Sequence, residues 1–252
     1  MENIVILEWT FTPKDYFEDE VRIERGDYEI IIKDGLIEAR ISPEVYDKEH
    51  KMRNSLHRNL DDRFLGVQLL THRPYTLSKA SMYRLHPDGR KDVTVFAESS
   101  VMTMTSGNVD IVVKDKDGIV VSDSRRDRVE KKKEFAELAE TYSSDPAAAS
   151  LLASYKAAVN DPDNELVHLY EIRDTLLKLF LGEKQARTIL GLSKSAWSRL
   201  GRLANSEPLK QGRHRGKSAG ELRDATEEEL TEARKIARNF VEAYLVYLDE
   251  CN

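Results

Sequence analysis

The chain has 252 residues, 40% of them apolar and 33% charged, with a formal net charge of -6. This composition supports a packed core in one large domain or two smaller ones, and the interspersed charges exclude a chain that is disordered throughout. The single cysteine, Cys251, excludes an internal disulfide and a cysteine-based zinc site, and fits a reducing compartment.

The first half reads as β-rich. Ile4 to Phe11 carries β-branched and aromatic residues. Tyr28–Ile32 and Leu36–Ile41 flank Asp34-Gly35, and Asp-Gly between two apolar runs is a strong hairpin signal. The same logic applies to Tyr75–Leu85 and Val93–Ala97 around His86-Pro-Asp-Gly89, and to Val109–Val113 and Ile119–Val121 around Asp117-Gly118. Repeated hairpins predict an antiparallel meander or small barrel with one face on the core. Between the strands, Val45, Met52, Leu56 and Leu60 stand at roughly helical spacing, which predicts a helix over 44–62, and Phe64–Leu70 then reads as a buried strand. His50 and His57 lack the i, i+4 spacing of a metal-binding pair. His72-Arg73-Pro74 and Asp123-Ser-Arg-Arg126 have the character of ligand-contacting loops.

From Arg125 the apolar period changes to 3.6. Val129, Phe135, Leu138, Ala139 and Tyr142 mark a helix over 125–143, in which Lys131-Lys-Lys133 reads as a solvated face. Asp145-Pro146 and Asp161-Pro162 are two helix starts, an N-cap followed by proline at the first helical position. The second opens a helix to Leu181 that Gly182 ends. Thr226-Glu-Glu-Glu229 is a capping box for a last helix to about Asp249, whose apolar face needs a bundle partner, the obvious one being the 163–181 helix. The expected architecture is α+β: a β-rich domain over 1–124 and an α-helical bundle over 125–252.

One stretch carries most of the functional signal. Between Lys194 and Arg223 there are eight basic residues and two acidic ones in an otherwise acidic chain. Such an island suits a polyanion. Within and before it, Lys184 to Ser193 resembles the first helix and turn of inversion-stimulation-factor-type DNA-binding domains, through the run Ala186-x-x-x-Leu190-Gly-Leu-Ser193. The resemblance implies a recognition helix over Ser195–Asn205 exposing Lys194, Ser195, Ser198, Arg199 and Arg202, with Ala186, Ile189, Leu192 and Leu200 packing the two helices.

Beyond it lies the loop Lys210-Gln-Gly-Arg-His-Arg-Gly-Lys217. A basic loop with Arg213-His214 between two helices of a bundle resembles HEPN-type domains of bacterial toxin and phage-defence proteins. That resemblance implies metal-independent RNA cleavage, often by dimers. Their signature is Arg, four to six residues, then His; at that spacing before His214 this chain has Glu207, Pro208 and Leu209, so Arg213 itself is the candidate. The implied roles are His214 as general acid or base and Arg213 as phosphate clamp, with Lys210, Arg215 and Lys217 as further nucleic-acid contacts. Glu171 or Arg173 of the 163–181 helix would assist. Gly212, Gly216 and Gly220 would let backbone amides approach phosphate. His168, Glu171 and Thr175 fall together off the apolar stripe of that helix, while Arg173 and Asp174 read as salt-bridge partners.

No Walker loop, Rossmann fingerprint or Gly-x-Ser-x-Gly elbow is present, and no cofactor or metal is expected. The expected partner is nucleic acid, RNA before DNA, with a homodimer as an option. No apolar run approaches the roughly 20 residues of a membrane span, and the N-terminus lacks a signal-peptide layout, so a cytoplasmic location without a membrane partner is expected. The alternatives are a helix–turn–helix DNA-binding regulator and a non-enzymatic adaptor or scaffold.

Overall fold

A computed structural model describes residues 3–49, 51–86, 90–94, 112–114, 120–213 and 221–251. The chain divides into two units. The first comprises residues 1–67 and 75–134, the second residues 68–74 and 135–252. The architecture is α+β, strands first and then helices.

The first unit is built on an antiparallel sheet. Its strands are β1 (Ile4–Thr12), β2 (Val21–Arg25), β3 (Tyr28–Lys33), β4 (Leu36–Ile41), β5 (Thr76–Leu77), β6 (Ser81–Leu85) and β7 (Lys91–Thr94). They lie in the order β2-β3-β4-β1-β6-β7, with β5 also on β1. The sheet is therefore no simple meander. β1 enters its centre, paired with β4 on one side and β6 on the other. The run Val5-Ile6-Leu7, buried on both faces, suits that interior position. The β3–β4 hairpin turns at Asp34 (φ 50°) and Gly35 (φ 85°). Two positive φ values match the right-handed twist of the strands, and a Cβ on Gly35 would stand 2.7 Å from Lys14 Cγ. β6 pairs with β7 as expected, although Pro87 to Gly89 lie outside the described residues. β8 (Val112–Lys114) and β9 (Val120–Asp123) form a separate ribbon.

Two corrections concern the stretch after β4. The single helix expected over 44–62 is two helices, α1 (Pro43–Lys48), capped by Ser42, and α2 (Met52–Thr71). The strand expected at Phe64–Leu70 is the second half of α2. No proline separates Leu60 from Phe64, and the buried stripe Met52, Leu56, Leu60 continues with the same spacing at Phe64 and Val67. This end is buried on several sides, with Phe64, Val67 and Leu69 in the core beside buried Arg63 and Gln68, so its run of apolar residues loses the polar face of a helix and imitates a strand. Phe64 centres an aromatic cluster, stacked on Tyr16 at 5.2 Å and edge-on to Phe11 and Phe17.

α3 (Ser124–Thr141) starts where Asp123 Oδ1 accepts the Arg125 and Arg126 amides, so Asp123 is a helix cap. Its lysines are not all solvated. Lys132 is buried, and its Nζ donates to the Tyr16 carbonyl at 3.0 Å and pairs with Glu18. Arg128 holds the other side of Glu18 at 2.7 Å.

The second unit is a helical bundle of α4 (Pro146–Asn160), α5 (Glu165–Leu179), α6 (Glu183–Ile189), α7 (Lys194–Asn205) and α8 (Glu227–Cys251). α5 is its hub, in contact with α4, α6, α7 and α8. Asp145 caps α4, accepting from the Ala148 amide at 2.7 Å. Asp161-Pro162 behaves differently. It opens a 3-10 turn, Pro162–Asn164, and the Asp161 carboxylate turns to Asn164 and His168 instead of capping. α5 ends in a Schellman motif, with Gly182 N–H on the Leu177 carbonyl and Leu181 N–H on that of Lys178. Leu181 (φ 56°), not Gly182, takes its left-handed position. The Thr226 capping box forms as read: Thr226 N–H donates to Glu229 and the Glu229 amide to Thr226 Oγ1. No helix among the described residues is long and apolar enough to cross a membrane.

Candidate nucleic-acid interface

The basic stretch opens on the second of two helices joined by a four-residue turn. α6 ends at Ile189, Gly191 takes φ 64°, and Ser193 caps α7 by accepting from the Ala196 amide at 3.1 Å. Gly191 supplies the left-handed backbone that the reversal requires. Ala186 and Leu200 are fully buried, whereas Ile189, expected to pack, is 49% exposed.

α7 is held from its inner face. Trp197 is fully buried and stacks on Phe240 of α8 with ring centroids 5.3 Å apart. The Arg173 guanidinium lies 5.2 Å from the Trp197 ring and 5.0 Å from that of Tyr170, and donates to the Tyr170 hydroxyl at 2.6 Å. Gly201 fits against it, since a Cβ there would stand 3.5 Å from Arg173 Cζ. Arg173 thus anchors α7 on α5, and it is Arg213 that pairs with Asp174. Trp197 packs α7 against α8 and α5.

The outer face of α7 exposes Lys194, Ser195, Ser198 and Arg202, with Arg199 half-buried beside them. Ser195, Ser198, Arg199 and Arg202, with Glu232, Lys235 and Ile236 of α8, border an open groove of 650 Å³. Sequence reading missed Lys235. Helical periodicity puts it on the polar side of α8, but only the packing of α8 along α7 brings it to this face.

The cations here are matched by carboxylates. Arg199 pairs with Glu232 at 2.8 Å, Arg202 with Glu207 at 3.6 Å, Lys210 with Asp224 at 2.9 Å and Arg223 with Glu229 at 2.7 Å. The hydrogen bonds from Arg223 hold the Glu229 carboxyl down at about 2. Among the described residues, Lys194 and Lys235 make no side-chain hydrogen bond or ion pair.

Compared with known proteins, the chain matches no family model, no curated protein and no solved structure.

The loop after α7 has an ordered base. Lys210 N–H donates to the Arg223 carbonyl, Arg223 N–H to that of Pro208, and the Ala225 amide to Gln211 Oε1. Leu209 is buried beneath it. Gly212 serves packing, not phosphate approach, since a Cβ there would meet the Ala204 carbonyl at 3.0 Å. Arg213 ends the described part, 2.9 Å from Asp174 and with its guanidinium 4.6 Å from the Tyr170 ring centroid. His214, Arg215, Gly216, Lys217 and Gly220 lie outside the described residues, as does His50.

The other polar candidates are structural. His168 is engaged by Asp161 at 3.1 Å and lies 3.6 Å from Glu171. His72, at φ 51°, has Nδ1 3.3 Å from the Tyr155 hydroxyl and Nε2 3.5 Å from buried Glu165, which Arg234 holds with two hydrogen bonds. Burial depresses the His72 pKa below its usual value.

Proposed function

We propose that the chain binds duplex DNA, with α7 as the helix that enters the major groove. The observation that carries this reading is the α6–turn–α7 unit: a left-handed Gly191, a serine cap, a Trp197-anchored inner face and an outer face of Lys194, Ser195, Ser198 and Arg202. A B-form major groove about 12 Å wide admits a helix, whereas that of A-form RNA is too deep and narrow. A helix offered as a probe therefore favours DNA over RNA. Lys235 extends the positive rim onto α8.

The carboxylate partners do not defeat this reading. The Arg202 side chain is 60% exposed in its pair with Glu207, and exposed pairs contribute about 0–1 kcal/mol each. A phosphate exchanged for such a carboxylate adds the entropy of counterion release. Arg213, by contrast, is stacked on Tyr170 and paired with Asp174, which supports an anchoring role and weighs against RNA cleavage at Arg213 and His214.

Fluorescence anisotropy with a duplex DNA pool, single-stranded RNA and double-stranded RNA tests the proposal. Duplex DNA should bind best at about 50 mM salt and weaken steeply by about 200 mM. Arg202→Ala and Arg199→Ala should each weaken binding about 5-fold and lower the salt slope by about 1. Absence of nucleic-acid binding at low salt, or DNA binding indifferent to both substitutions, sinks the reading. RNA cleavage abolished by His214→Ala would move the function to the loop.

A further inference from the structure

A second surface of the bundle has no role in the α7 reading. Along the C-terminal half of α8, exposed Val246 and half-buried Ala243 and Tyr247 border, with Glu242 and with Ile189 at the end of α6, an open groove of 490 Å³. Ile189 is 49% and Val246 37% exposed; the bundle's other exposed large aliphatic side chains among the described residues, Leu179 and Leu181, lie at the end of α5. Asn239 stands at one end of the groove and Glu250 at the other. Both are exposed, and among the described residues neither makes a side-chain hydrogen bond or ion pair.

We propose that this face pairs with the same face of a second copy of the chain, α8 against α8, antiparallel about a two-fold axis between Ala243 and Val246. The order of residues along the stripe argues for that occupant. In an antiparallel pair with this axis, Val246 of each copy meets Ala243 of the other, and the small alanine leaves the notch that the valine fills. Ile189 then covers the centre from the side, while half-buried Glu242, 3.4 Å from Arg238, stands opposite Tyr247. The same register sets Asn239, whose amide is a free donor, opposite Glu250, whose carboxylate is a free acceptor, once at each end. A parallel pair would instead set Glu250 against Glu250. Polar complementarity and side-chain volume thus select the same register. The stripe from Asn239 to Glu250 is about 18 Å long. That length, with the α6 rim, places the contact at the small end of specific interfaces, for which a micromolar dissociation constant is expected.

Light scattering and sedimentation of the full chain without nucleic acid, under reducing conditions because Cys251 is exposed, test the pairing independently of the DNA reading. The wild-type chain should be dimeric at about 100 μM and dissociate on dilution to about 1 μM. Asn239→Glu, which faces Glu250 with a like charge, and Val246→Glu should each weaken dimerisation at least about 30-fold with unchanged circular dichroism. Adding Glu250→Lys to Asn239→Glu should restore it to within about 3-fold of wild type. A wild-type monomer at about 100 μM overturns the proposal. So does a dimer indifferent to Asn239→Glu and Val246→Glu, and so does a double variant that stays monomeric.

Discussion

Glu18 permits a quantitative test of what holds α3 to the loop after β1. Its carboxylate accepts from Arg128 at 2.7 Å and from Lys132, whose side chain is only 2% exposed. Burial raises the Glu18 pKa, and the hydrogen bonds from Arg128 and Lys132 overcome that to leave it at about 2. Set against an ordinary 4.5, this corresponds to about 3 kcal/mol of stability, within the range for breaking a buried ion pair. The folded pKa is the depressed one, so this stability is present above pH 4.5 and is lost as pH falls toward about 2. Glu18→Gln removes the charge and leaves the buried Lys132 ammonium with neutral carbonyl acceptors and no counter-charge, for an expected loss of about 3 kcal/mol at neutral pH. Adding Lys132→Met should recover most of that loss, because an apolar side chain of similar length replaces the stranded charge. The measurement is urea unfolding in a Trp197→Phe background, where Trp9, fully buried in the sheet, reports the first unit alone. A Glu18→Gln midpoint within about 0.5 kcal/mol of the parent, or a double variant no better than the single, refutes the reasoning.

Two further outcomes follow from local geometry. Leu181 sits at φ 56° with 88% of its surface exposed, so Leu181→Gly should stabilise the bundle by about 1 kcal/mol in thermal unfolding; a loss of stability would show that its side chain is covered in solution. Burial lowers the His72 pKa, so the unfolded chain binds the proton more readily and the bundle should lose stability as pH falls below about 6.5. That loss should be absent in His72→Gln, as followed by Trp197 fluorescence in urea across the pH range.

Much of the architecture was written in local signals. Asp34-Gly35 fixed a hairpin because a turn with two positive φ values tolerates few other pairs. Asp145-Pro146 and the Thr226–Glu229 box marked helix starts because the Asp145, Thr226 and Glu229 side chains bond amides at the helix start itself; Ser193 marked the start of α7 for the same reason, and Gly191 marked the turn before it because glycine tolerates a positive φ. Each of these is an interaction between residues a few positions apart. What the sequence did not determine involves partners far along the chain. β1 takes the centre of the sheet because it pairs with both β4 and β6, and no local pattern specifies that order. The end of α2 imitated a strand because burial on several sides erased its polar face. Lys132 read as solvent-facing until the loop after β1 brought Glu18 over it. The island between Lys194 and Arg223 was visible as charge, but whether its cations stand alone depended on Glu232, Asp174 and Asp224, brought to them from α8, α5 and the loop before α8. Sequence order carries sign and period, whereas neutralisation and burial are set by distance in space, and only the tertiary structure decides that distance.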